Sequence, residues 1–395
     1  MIKACATRVV LLFVVTTVVG IGGRQPTRAA RAAQPQPTRA ARATQPRPTR
    51  AHAAHPSIVT VLPPGRGRPR ARGGTWRRTG SLADERTYQS ATLLPDGTVL
   101  VVGGVQGRSD LLDSAERYDP ARGVWRRAGS LPFGGGHVFT ARAGHTATLL
   151  ANGVVLVVGG AGHDGILLTD ADLYDPRTGV WRPTGSLPAG HAAHTATLLP
   201  NGRVLVAGND QGDGRSAEMY DPVTGTWSKT GGMAVARFAH TVTLLPNGRV
   251  LVIGGGSRRA ELYDPATGRW TGAGSVDAEG STAMLLRDGR VLIAGGCGRA
   301  RRAASALYDP VTGRWTSTGR PRAARAGHTA TLLSDGTVLV AGGQPCAGDA
   351  YLATAERFDP ATGTGAPPGR WPNRGRGTQR HCCAMARSWS RAEST

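Results

Sequence analysis

The sequence predicts an all-β fold built by repetition, and three observations predict it. An apolar run is cut by an Asn-Gly or Asp-Gly pair and then resumes, six times along the chain. Such pairs are the strongest short-range hairpin signal, because Asn, Asp and Gly suit tight turns. Each second run ends at a glycine pair or its variant: Gly103-Gly104, Gly159-Gly160, Gly208-Asn209, Gly254-Gly255, Gly295-Gly296 and Gly342-Gly343. An aromatic-Asp-Pro step then follows, at Tyr118, Tyr174, Tyr220, Tyr263, Tyr308 and Phe358, with a tryptophan after five of the six: Trp125, Trp181, Trp227, Trp270 and Trp315.

The clearest unit is ARAGHTATLLANGVVLVVGG, residues 141–160, with ADLYDPRTGVWRPTGSLP, residues 171–188. HTATLL and VVLVV form a hairpin across Asn152-Gly153. ADLYD is a third strand, a Pro/Gly turn closes it, and the tryptophan strand is the fourth. One twisted sheet of this kind cannot bury both apolar faces alone, whereas sheets stacked radially can. Trp and Tyr then fill the wedge between sheets. The units recur about every 41–56 residues, the variation lying in the loops.

A four-stranded unit of this length, with Gly-Gly, Tyr-Asp and Trp in that order, resembles the kelch repeat of β-propellers. The resemblance covers about residues 75–360 and implies a kelch-like β-propeller of six four-stranded blades. It is specific for fold and weak for function, since one fold hosts many activities.

The charge is uneven. The chain has 395 residues, 57 glycines and a formal net charge of +22. Residues 1–82 carry fifteen basic residues and no acid, whereas residues 83–363 carry 27 basic and 25 acidic ones. The repeat body is therefore nearly neutral, which argues against a nucleic-acid partner. Residues 1–23 place Lys3 and Arg8 before an apolar run and read as a secretory signal, with an uncleaved anchor as the alternative. Residues 24–72 are a Pro/Ala/Arg-rich linker with no large apolar residues over its eleven-residue repeats; it reads as a spacer, or as a basic tether to an anionic cell surface. Residues 73–363 are the propeller, and 364–395 an irregular tail.

Two readings concern how the ring ends. TWRRTGSL, residues 75–82, matches a fourth strand standing alone, and the last unit loses its pattern at TGTGAPPGRW. The expectation is that the Trp76 strand closes the ring by completing the last blade, which removes open sheet edges. The tail gives a second reading. Back-translated with GC-rich codons and shifted by one base, residues 376–393 encode AGHTATLLRDGTVLVAGG, the start of another repeat. A base lost near Thr364 would leave six blades where an unshifted ancestor had seven.

Function tends to sit on variable loops, and strand order puts these on the face opposite the hairpin turns. There Asp110, Asp113, Asp164, Asp170, Asp210 and Asp213 belong to early blades. Arg258, Arg259, Arg299, Arg301, Arg302, Arg320, Arg322 and Arg325 belong to later ones. The reading is a polarised docking face for a protein or an acidic glycan, with an ordinary solvated surface as the bland alternative. His137, His163 and His191 lie off the repeat; the first two join the candidate site. His145, His194, His240 and His328 recur with the repeat and read as structural hydrogen-bonding residues rather than a metal ring, with Gln89 and Ser281 in their place in two blades. Cys297 and Cys346 follow the double glycines of the last two blades, where export permits a disulfide.

The resemblance also brings in galactose-oxidase-like copper enzymes, which share such a propeller. It implies two tyrosines, two histidines and a Tyr-linked cysteine, but the adjacent Tyr-His pair is missing and only Tyr88 and Tyr351 stand outside the repeat core. No P-loop, Cys-x-x-Cys or His-Glu-x-x-His motif occurs. The sequence thus points to a secreted or surface-tethered, monomeric binding module with no cofactor. The alternatives are a propeller oxidase, a carbohydrate-active enzyme, or the product of a decaying gene.

Overall fold

The computed structural model describes residues 79–107, 109–132, 140–209, 214–297, 304–319, 321–346, 352 and 354–370. The leader, the linker, Trp76 and the tail beyond residue 370 lie outside these residues. So do His137, Arg299, Arg301, Arg302, Arg320, Tyr351, Asp210 and Asp213.

Six four-stranded antiparallel sheets follow one another as the blades of a β-propeller. Blade two shows the plan: Thr146–Leu149, Val155–Val158, Ala171–Asp175 and Val180–Pro183 pair in chain order. The glycine of each hairpin turn takes positive φ, as at Gly153 (φ 84°), which is why the turn needs it. The register sets each tyrosine opposite its tryptophan, as in Tyr174↔Trp181 and Tyr220↔Trp227. Their ring centroids lie 4.7 and 4.9 Å apart and the planes are tilted, a favourable offset for aromatic pairs.

The second strand of each blade is its most buried part, because it is covered by strands on both edges and, in blades two to five, by blades on both faces. Val155 to Val158 are all 0 % exposed. Five apolar clusters each join one pair of consecutive blades, from one–two to five–six. At the rim of a seam the tryptophan Nε1 donates to the end of the preceding blade's fourth strand: Trp181 to Ala128, Trp227 to Gly185, Trp315 to Ala273.

One expectation is corrected. The fourth strand of blade six is Thr364–Arg370, supplied by the chain itself and paired with Thr354–Asp359. The Trp76 strand is therefore not needed there. The tryptophan is replaced by Gly365, opposite Phe358, and Pro367 and Pro368 stand in the strand. This outermost strand has a free edge, so missing N–H donors are tolerated and the sheet forms without the usual signature.

Candidate binding face

Beneath the variable loops lies a buried layer of charge. Three residues before the inner-strand histidine, or before Gln89 that replaces it in blade one, an arginine turns inward in four blades. Arg86, Arg142, Arg237 and Arg325 are 2 % exposed or less. Each meets an acid two residues before the aromatic of the third strand: Arg86–Glu116 at 2.8 Å, Arg142–Asp172 at 3.0 Å, Arg237–Glu261 at 2.9 Å and Arg325–Glu356 at 2.6 Å. The guanidinium also donates to the first glycine carbonyl of the pair, as Arg325 does to Gly342 at 2.8 Å. In blades one, four and six the acid also accepts from the chain entering the blade, as Glu356 does from the backbone N–H groups of Arg322 and Ala323. Each such latch ties entry segment, glycine corner and third strand together, with most of its buried polar atoms satisfied.

In blade three His191 takes the arginine's place, 3.0 Å from Glu218 and bonded through Nδ1 to the Gly208 carbonyl. Burial alone lowers its proton affinity, but the hydrogen bond and charge of Glu218 outweigh burial and raise it. His191 is thus a repeat position after all, which its change of residue type hid.

The repeated histidines bridge the seams. Nε2 of His145 meets the Ser90 hydroxyl at 2.8 Å, His194 meets Thr146 at 2.9 Å, His240 meets Thr195 at 2.8 Å and His328 meets Thr282 at 3.1 Å. Burial drives His145, His240 and His328 down to about 3 and His194 well below its ordinary value, so all four are neutral at physiological pH. Among the described residues no three His, Cys, Asp or Glu side chains converge in a way that could hold a metal ion.

The sequence-selected site residues separate on the structure. Arg258, Arg259, Arg322 and His163 are exposed. Arg325 is corrected: it is the buried latch of blade six, drawn inward by Glu356. Asp110 and Asp164 are exposed, whereas Asp170 is 4 % exposed beside the Arg142 latch. The Cys297 and Cys346 sulfurs are bonded, with Cα atoms 5.3 Å apart, joining the loops of blades five and six.

The two faces treat arginine differently. On the hairpin-turn face seven arginines are each paired with a turn aspartate, among them Arg177–Asp175, Arg203–Asp221 and Arg249–Asp264. On the loop face Arg258 and Arg259 have no carboxylate partner among the described residues. Beside them lies an open hollow of about 270 Å³, lined by Ala234, Val235, Arg259, Trp270 and Ser275 among others. The face thus offers two guanidinium groups with no carboxylate partner among the described residues, and one of them, Arg259, lines a partly apolar depression.

The Kelch motif family model matches residues 86–132, which is blade one with its entry segment, and that blade's strand order and register recur in the other five. Blade one is thus a Kelch motif, and the chain repeats its plan in a six-bladed β-propeller. A mouse protein, Kelch-like protein 35, is 30 % identical over 107 residues, 27 % of this chain and 17 % of its own length. A fungal alcohol oxidase of the AA5 family, solved in complex with copper, superposes with a TM-score of 0.58 at 20 % identity, over 72 % of this chain and 65 % of that one. The structure of YjhT superposes with a TM-score of 0.53 at 18 % identity, over 71 % of this chain and 97 % of that one. These two likenesses speak for the propeller fold alone. The propeller's Tyr88, weighed above for an oxidase site, is buried in the entry segment of blade one with φ of 60°.

Proposed function

We propose that this kelch-propeller interaction module docks an acidic protein segment on the loop face of its later blades. The observation that carries the reading is the contrast in arginine pairing between the faces. Seven turn-face arginines are neutralised by turn aspartates, with the exposed Arg269, Arg287 and Arg314 as exceptions, whereas neither Arg258 nor Arg259, both exposed, has a carboxylate partner among the described residues. A partner's carboxylates would complete them, and the adjacent hollow beside Trp270 would take an apolar side chain. Arg322 extends the same sign of charge, although its Nε already donates to the Gly365 carbonyl. An acidic glycan is the second reading, favoured by the same guanidinium groups.

Export goes with this proposal. It is supported by the basic-then-apolar leader and by the Cys297–Cys346 bond, which suits an oxidising compartment. A mature mass lacking about the first 23 residues, on a chain released from cells, is the expected outcome.

The binding test uses the full chain at low salt, with a polyglutamate peptide and a sulfated oligosaccharide as probes. The paired change Arg258→Glu and Arg259→Glu is expected to weaken peptide binding at least tenfold, and binding should fall with rising salt. Unchanged affinity in the double variant would sink the reading. Binding of the oligosaccharide alone would move the assignment to a glycan.

A further inference from the structure

We propose that the space between blade six and blade one is the seat of a seventh blade. Its first strands would be a further copy of this chain's own repeat, the one spelled by the shifted frame over residues 376–393. Its fourth strand would end at Thr79–Leu82. Four observations in the described residues point there.

First, the fourth-strand place beside blade one is already taken. Trp125 donates through Nε1 to the Gly80 carbonyl at 3.0 Å, and Gly80 donates to Gly123 at 2.8 Å. Trp227 makes the same pair of contacts with Gly185 and Gly225, where Gly185 belongs to the end of blade two. Gly80 therefore stands where the end of a preceding blade stands. That blade is not blade six, whose fourth strand is Thr364–Arg370.

Second, the seam lacks its apolar filling. No cluster among the described residues joins blades six and one. Leu333 and Leu339 are half-buried, although their counterparts Leu150 and Leu156 are 4 % and 0 % exposed. On the other side Val99 and Leu82 are half-buried, against 0 % for Val155 and 2 % for Leu131. Val101 and Tyr118 remain buried, so the seam is loosened at its edges rather than flooded.

Third, its polar ends do not meet. At four of the five filled seams the inner-strand hydroxyl bonds the next blade's histidine, the exception being Thr241 opposite Ser281. The Thr329 hydroxyl reaches only Ala341 of its own blade. Gln89, at the histidine position of blade one, is 5 % exposed and its Oε1 has no partner.

Fourth, the shifted-frame sequence supplies both missing groups. AGHTATLLRDGTVLVAGG carries the histidine that would face Thr329, as His145 faces Ser90. Its next residue is the threonine whose hydroxyl would donate to Gln89 Oε1. Its apolar alternation would cover Leu339 on one side and Val99 on the other.

The test compares the 395-residue chain with the product of the same gene carrying one added base at codon 364. The restored chain is expected to melt at least about 5 °C higher. Amide exchange over Val99–Val102 and Val338–Ala341 should slow at least tenfold. Gln89→Ala should lower the melting temperature of the restored chain and leave the 395-residue chain within about 1 °C. Equal melting and equal exchange in the two chains would overturn the proposal. So would concentration-dependent self-association of the 395-residue chain that protects the same two strands, because a second copy would then be the occupant.

Discussion

Blade four and blade five are neighbours made from one repeat, and they fill the same buried positions with opposite chemistry. Blade four holds the Arg237–Glu261 pair, both side chains 3 % exposed or less, with His240 bridging back to Thr195. Blade five has Ala278 at the arginine position, Ala306 at the acid position and Ser281 at the histidine position. Both charges are missing together. Removing one member of a buried pair strands the other, whereas removing both leaves neither uncompensated. The loss at the histidine position has no such compensation. Ser281 is too short to cross the seam and bonds Ala278 of its own blade, while the Thr241 hydroxyl has no partner among the described residues. Blade five is instead tied on its other side, to blade six, by Cys297–Cys346.

This comparison can be broken most sharply in blade six. Glu356→Ala leaves Arg325 buried and unpaired and should cost about 3–5 kcal/mol in chemical denaturation. In blade four, Arg237→Met and Glu261→Leu should each cost about as much. Together they should cost at least about 2 kcal/mol less than the sum, which imitates blade five. Additive losses would show that the two side chains act independently.

Acid is the next probe. His145, His240 and His328 bind protons in the native state only near pH 3, against about 6.5 when unfolded. The unfolded chain therefore binds more protons between these limits, and stability falls as pH drops from about 6.5 towards 3. Asp172 works the other way: burial raises it to about 6, so its contribution is lost as pH rises from about 3.8 through 6. Three histidines outweigh one aspartate. His145→Gln, which copies blade one, should make unfolding free energy less steep in pH by close to one proton, measured between pH 4 and 6. An unchanged slope would mean that this imidazole is charged in the native state.

Smaller effects sharpen the picture. Ser281→His should regain the bridge to Thr241 and add about 0.5–1.5 kcal/mol; no gain would imply that the seam cannot admit the ring. Ala193 and Ala239 precede inner-strand histidines with φ of 52° and 48°, where other blades have Gly144 and Gly327. Either residue changed to glycine should add up to about 1 kcal/mol by relieving a left-handed backbone.

The hairpins, the double glycines and the aromatic pairs were legible because each reflects a local rule of turn or strand geometry. The histidine bridges were legible as structural because they recur with the repeat. The latch was not, because a lone arginine before a loop looks solvent-facing until its acid is placed beside it; Arg325 was misjudged for that reason. The recurrence of arginine three before histidine, together with an acid two before the aromatic, was the available signal. Thr364–Arg370 was missed because an edge strand forms through backbone pairing and tolerates Gly365, Pro367 and Pro368.

The latch also bears on how such a chain can lengthen. Arginine, acid and glycine carbonyl all belong to one blade and its own entry segment, so duplicating that stretch copies a finished anchor. At most seams the contacts are the same hydroxyl, imidazole and indole, so a new copy meets neighbours largely shaped for it. Growth and shrinkage by whole units then require no co-ordinated change elsewhere. A reading-frame slip is different in kind: it removes a unit without removing the sockets that its neighbours hold open.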